Sequence, residues 1–192
     1  VLPDFLDNPV ESVAERLLGC HLERMIDGRR VLVRIVETEA YDEGDEASHT
    51  FRGRTPRNEV MFGEAGFLYV YFTYGMHYCC NVVTGHEGHG SAVLFRAAEP
   101  VEGTDLIEAR RGVTGLNATN GPAKLCQALG IDLDLNAHDL QKPPLRLLEG
   151  GLEPGETVSK STRIGLTKAV ELNRRYYITG NPWVSRFIRP PG

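Results

Sequence analysis

The chain has 192 residues, enough for one domain with a full core and short for two. Hydrophobic residues make up 41% of it and no apolar run is long enough for a membrane-spanning helix, so no membrane partner is expected. The net charge of −5 argues against a uniformly basic nucleic-acid binder, but residues 157–192 carry seven basic side chains against Glu171 alone, leaving −11 on residues 1–156.

In chain order, Asn8-Pro9-Val10-Glu11 reads as a helix start, with Asn8 as N-cap, Pro9 as the first helical residue and Glu11 as the reciprocal capping acid. Val10, Val13, Ala14, Leu17 and Leu18 follow at helical spacing, and Gly19 stops the helix. Residues 21–26 and 31–36 are strand-like and joined through Asp27-Gly28, a strong hairpin signal. Residues 42–64 are polar and contain glycine, which predicts a long loop of the kind that usually carries function. Strands are expected over 67–73, 77–84, 91–97, 145–148, 162–167 and 176–179, and helices over 104–111 and 122–129. Because strands cluster in hairpins, the expected fold is mixed α/β of the α+β kind: a single domain over 1–192 with a mainly antiparallel curved sheet and surrounding helices.

Cys20, Cys79, Cys80 and Cys126 form no C-x-x-C pair and read as buried reduced thiols, which fits an intracellular compartment. No secretory-signal pattern is visible at the N-terminus. His86 and His89 share a glycine-rich loop that reads as a solvated turn, and no metal-ligand spacing stands out.

Three groups of residues can carry chemistry. Glu39 leaves an apolar strand beside Tyr41, where partial burial and fixed orientation suit a carboxylate that activates water; an edge glutamate without a role is the alternative. Core packing accounts for Phe67 and Tyr69, whereas Tyr74 at a strand exit before Gly75-Met76 resembles the apolar wedges that unstack a duplex. Arg52, Arg54, Thr55, Arg57 and Asn58 on a glycine-flexed loop suit phosphate oxygens, or else form a solvated loop. Lys124, in the first turn after Gly121-Pro122, is a further phosphate candidate. The basic segment 157–192 suits polyanion contact or a solvated tail.

Taken together, the segments Arg34-Ile35-Val36-Glu37-Thr38-Glu39-Ala40-Tyr41, Asp45-Glu46-Ala47-Ser48-His49, Thr55-Pro56-Arg57-Asn58, Tyr69-Val70-Tyr71 and Tyr74-Gly75-Met76 resemble the alkyladenine (3-methyladenine or methylpurine) DNA glycosylase family. So do Leu94-Phe95-Arg96-Ala97-Ala98-Glu99-Pro100, the stretch from Gly121 to Leu129, and Gly180-Asn181-Pro182-Trp183-Val184-Ser185. The matches run in family order from Leu2 almost to Ser185.

The resemblance implies a monofunctional enzyme that flips alkylated, and also deaminated, purines from double-stranded DNA and hydrolyses the N-glycosidic bond, leaving an abasic site. By it, Glu39 is the general base, Arg96 helps hold the water and the carboxylate, and Ile164 supplies a backbone carbonyl to the water. Tyr41 and Tyr71 wall the flipped base, His49 completes the pocket, and Asn81 crowds a guanine amino group. Tyr74 enters the duplex with Met76 beside it. No metal or cofactor is implied, the expected partner is damaged duplex DNA, and a monomer is the family default. The location would be cytoplasm and nucleoid in a bacterium, or nucleus in a eukaryote. His77 in place of an aromatic residue, a shorter Tyr41–His49 loop and a compact 112–121 segment point to a compact bacterial-type member. A non-catalytic lesion-binding protein and a modified-nucleoside hydrolase are the alternatives. Glu37 reads as structural.

Overall fold

The computed structural model describes residues 1–186; Arg189, counted in the basic segment 157–192, lies outside the described residues. The elements are α1 (Val10–Arg16), β1 (His21–Ile26), β2 (Arg29–Tyr41), β3 (Leu68–Thr73), β4 (His77–Val83), β5 (Ala92–Glu102), α2 (Thr104–Arg111), α3 (Pro122–Leu129), β6 (Leu145–Leu148), β7 (Val158–Ser161) and β8 (Arg175–Ile178). The strands form one sheet in the order β3-β4-β5-β2-β1-β6, with β8 joined to β2 and β7 to β8. Every described strand pair is antiparallel, so the expected α+β class with an antiparallel sheet holds.

Local chemistry explains the elements that begin and end where their residues predict. Asp27 and Gly28 both take positive φ, the pattern of the tight turns that match strand twist. Glycines at 103 and 112 bracket α2, and α3 starts at Pro122 and ends at left-handed Gly130.

Several expectations need correction: β2 runs over Arg29–Tyr41 instead of 31–36, β5 continues to Glu102, and β7 was not expected. The first helix starts one residue late: Pro9 is the N-cap and no side chain caps it, so Asn8 is not the cap. It also ends at Arg16, before Gly19, whose N–H is drawn instead to the Ile35 carbonyl at 2.8 Å. Residues 162–167 form no strand; the Arg163 side chain turns inward and the Ile164 N–H binds a side-chain carboxylate, leaving no ladder for either to join. The loop over 42–64 is as long as predicted but contains a 3₁₀ turn at Glu59–Phe62.

The long strand β2 organises everything else. Its first half pairs with β1, and its second half exchanges that partner for β8 at Glu37, Thr38 and Glu39. Near the exchange, its register with β5 shifts twice: Ile35 faces Ala98, Glu37 faces Ala97, and Thr38 faces Phe95. Val36 on β2 and Arg96 on β5 are therefore left without a partner in the ladder. An extra residue reverses the in–out alternation beyond it. Val31, Val33 and Ile35 pack into the main core, and past the shift Thr38 and Ala40 are the buried residues on that side, the Thr38 hydroxyl donating to the Ala14 carbonyl of α1 at 2.8 Å. Glu37 and Glu39 are turned to the opposite face. Helices α1 and α3 cover the core face, with Leu17, Leu125 and Leu129 packed among Ile35 and Phe95. No described helix is long and apolar enough to cross a membrane.

Candidate active site

The register aligns one residue from each of four strands in a row: Tyr69 on β3 faces Asn81 on β4, Asn81 faces Leu94 on β5, and Leu94 faces Glu39 on β2. All four line a pocket of about 320 Å³, within the range of small-molecule sites. Tyr41, His49, Tyr71, Tyr74, Cys79, Arg96, Pro122, Ile164 and Gly165 also face it, so the curved sheet brings together residues that are up to 126 positions apart.

Glu39 is fully buried, which removes the exposed-edge alternative. Oε1 accepts the Tyr41 hydroxyl at 2.8 Å and lies 3.5 Å from Arg96 Nη1; Oε2 accepts the Ile164 N–H at 2.9 Å. The strand runs on to Tyr41, so Glu39 sits inside β2, not at its end. Two strand residues, Tyr41 and Arg96, and one residue outside any strand, Ile164, thus hold the carboxylate. For Arg96, burial opposes the charge, but Glu39 and then Glu37 outweigh it and hold the guanidinium above its ordinary pKa. Tyr41 is pushed up by burial, by the Glu39 charge and by the hydrogen bond itself, so it stays a donor.

The aromatic side of the pocket is equally specific. The His49 ring stands edge-on to Tyr71 with centroids 4.4 Å apart, and its Nδ1 lies 3.0 Å from the Tyr69 hydroxyl. Desolvation first, and the Arg57 charge second, lower the His49 pKa below 6.5, so the ring is neutral at pH 7. Tyr69, which core packing alone was expected to explain, is therefore a pocket residue that orients His49; burial pushes its pKa up to about 12. The Asn81 side chain is fixed by donation to the Tyr69 carbonyl at 3.2 Å.

The hairpin tip projects outward beside the pocket. Tyr74 has φ 53 and Gly75 φ 68, a turn that Gly accepts freely and a tyrosine does not. Tyr74 is 86% exposed and Met76 68%, so a large ring is held in solvent by a strained backbone. The nearby loop presents Arg52, Arg54, Thr55 and Arg57 at the surface. Arg57 donates to the Phe72 carbonyl at 3.0 Å, tying loop to hairpin, and Arg54 stacks over Phe62 at 5.0 Å. Asn58 is buried and builds the loop, binding the His49 and Gly53 carbonyls, so it is not a surface phosphate ligand. Lys124 donates to the Asn120 side chain at 2.9 Å near the start of α3.

Four of the seven cations in residues 157–192 are paired with acids instead of forming a free polyanion face or a solvated tail. Lys160 pairs with Glu15, Arg163 with Asp45, Arg174 with Glu11 and Asp42, and Arg175 with Glu37. The charge asymmetry is mostly an internal match between the two ends of the chain. The Arg163–Asp45 pair is fully buried; Arg163 also donates to the Ala40 carbonyl at 3.0 Å, and its guanidinium carbon lies 4.7 Å over the Tyr41 ring. Reading by residue type missed this pair, though the opposed charges of the two chain ends were its visible signal.

The sequence model of the methylpurine-DNA glycosylase family matches residues 4–182. The chain belongs to that family. Family membership makes it a DNA glycosylase, an enzyme that hydrolyses N-glycosidic bonds. A relative from Methanoculleus marisnigri is 49% identical over 189 residues, covering 95% of this chain and 96% of its own. One from Carboxydothermus hydrogenoformans is 49% identical over 185 residues with the same coverage. One from Chlorobaculum parvum is 47% identical over 185 residues, covering 95% of this chain and 88% of its own. All three are named as 3-methyladenine DNA glycosylases. The glycosylase fold thus presents its pocket on the sheet face away from the core helices, beside the exposed hairpin tip.

Proposed function

We propose that this glycosylase acts as a monomer inside the cell, on duplex DNA, flipping an alkylated or deaminated purine into the pocket and hydrolysing its bond to C1′ with a water activated by Glu39. The observation that carries the reading is the clamped, fully buried Glu39 in a pocket lined by tyrosine rings, next to a tyrosine held out in solvent.

Tyr41, Tyr71 and His49 offer ring faces and edges to the base, and an N-alkylated purine, being cationic, is drawn to electron-rich rings. Tyr74, with Met76 beside it, fills the gap in the duplex, and Arg52, Arg54, Thr55, Arg57 and Lys124 meet phosphates on either side. Glu39 accepts a proton as the water oxygen bonds to C1′, and the purine leaves with the bonding electron pair. A cationic lesion departs neutral, so the carboxylate's main tasks are to orient the water and to stabilise the oxocarbenium-like sugar. Arg96 and the Ile164 main chain keep the carboxylate aimed. Asn81 narrows the pocket against a guanine amino group. The products are a free base and an abasic site.

The test is a duplex with one ethenoadenine or hypoxanthine, incubated with protein and then treated with alkali. Alkali-labile sites are expected from duplex and none from the free nucleoside. Lesion binding without labile sites would replace the reading with a non-catalytic binder, and nucleoside cleavage alone with a nucleoside hydrolase. In the same duplex, Tyr74→Ala is expected to weaken lesion binding about 10-fold or more while undamaged duplex changes little. Equal losses on both would remove the wedge.

A further inference from the structure

Glu37 has the same full burial as Glu39 and shares its face of β2, yet it does not line the pocket. Its Oε1 accepts Arg96 Nε at 2.9 Å, Arg175 Nε at 2.8 Å and the Ser185 hydroxyl at 2.8 Å, and its Oε2 accepts the Ser185 N–H at 2.7 Å. A carboxylate with four donors has little capacity left for water or substrate. Arg96, by contrast, is divided: Nε is bound tightly to Glu37, while Nη1 stops 3.5 Å short of Glu39. An unconstrained guanidinium beside a buried carboxylate closes to about 2.7–2.9 Å, usually with two parallel bonds. Something holds Arg96 back, and the one group bonded to its Nε is Glu37.

We infer that Glu37 is a positioning residue for base release: it anchors Arg96 so that its cation faces Glu39 without closing onto it, leaving an Oε1 lone pair free for water. The role rests on the proposed water activation by Glu39 and Arg96. Arg175 and Ser185 are part of the device. Arg175 takes up the share of the Glu37 charge that Arg96 does not, and two buried carboxylates two residues apart are offset by two guanidiniums. Through β8 and the segment ending at Ser185, residues near the C-terminal end of the described chain thereby set the geometry of a carboxylate on β2. Replacing Glu37 by Gln frees the guanidinium to make a forked pair with Glu39, which occupies the oxygen that the water needs.

The experiment is a double-variant cycle with Glu37→Gln and Arg96→Ala, read by single-turnover base release and by lesion-duplex affinity. Glu37→Gln alone is expected to slow release about 100-fold, the scale of a one-ångström misplacement, with affinity changed less than about 3-fold. In the Arg96→Ala background the same change is expected to slow release by less than about 3-fold, because the group it positions is gone. Ser185→Ala, which keeps the charge and removes one hydroxyl donor, carries the test if Glu37→Gln does not fold. Its expected effect is about 5-fold slower release in the wild type and none in Arg96→Ala. Release by Glu37→Gln at near wild-type rate, or equal slowing with and without Arg96, overturns the positioning role. If Arg96→Ala itself releases base normally, the water-activation reading fails first.

Discussion

Glu39→Gln is expected to reduce base release by about 10³-fold or more while lesion-duplex affinity stays within a few-fold of wild type. The substitution is nearly isosteric, so the Ile164 N–H at 2.9 Å and the Tyr41 hydroxyl at 2.8 Å retain an oxygen or amide to meet. What it removes is the proton acceptor and the negative charge opposite the developing oxocarbenium ion. Arg96 remains held by Glu37, so a loss of rate cannot be ascribed to collapse of that arginine. Single-turnover release from an ethenoadenine duplex, with binding measured in parallel, checks it. Retention of a tenth or more of the wild-type rate would falsify the general-base role.

Arg163→Ala is expected to destabilise the protein by about 3–5 kcal/mol, because it leaves the Asp45 carboxylate buried without its main partner. Both side chains are fully buried, Arg163 Nη2 binds Asp45 Oδ1 at 3.0 Å, and Nη1 also serves the Ala40 carbonyl at 3.0 Å. Arg174 Nη1, 3.6 Å from Asp45 Oδ2, is too distant and too engaged with Glu11 and Asp42 to replace a forked pair. For a chain of this size the loss lowers the melting temperature by about 2–4 °C per kcal/mol. Denaturant melts compared with Asp45→Leu/Arg163→Met, in which both charges are gone, separate the unpaired charge from the lost packing. The double variant is expected to recover much of the loss, and a single-variant effect below about 1 kcal/mol would contradict the account. The arginine also lies against the Tyr41 ring, so the variant should loosen one wall of the pocket.

Much of the fold was legible because its signals are local. Asp27-Gly28, Pro122 and the glycines that bound α2 and α3 act through backbone conformation within a few residues, and the β1–β2 turn and both helices fall where expected. Asn8 caps nothing, because Pro9 takes the N-cap position and no side chain caps helix 10–16. The assignment over 162–167 failed for the opposite reason: distant partners claimed the groups that local patterning needed, with Asp45 and the Glu39 carboxylate taking Arg163 and the Ile164 N–H. The free-cation readings of residues 157–192 failed in the same way, since four of the seven cations there are matched by acids from the first 45 residues.

The sequence by itself determined the class of fold, the family and the identity of the residues around the site, because motif order and residue type survive without coordinates. Only the tertiary structure decided what those residues do to one another. Val36 and Arg96 stand unpaired on neighbouring strands, and that double slip turns Glu37 and Glu39 away from the core, so that Glu39 lines the pocket. A register shift belongs to two strands at once, so neither strand's own alternation can reveal it. Glu37 shows the consequence: read along the chain it is a structural neighbour of Glu39, and in the sheet it is the anchor of the arginine that Glu39 faces.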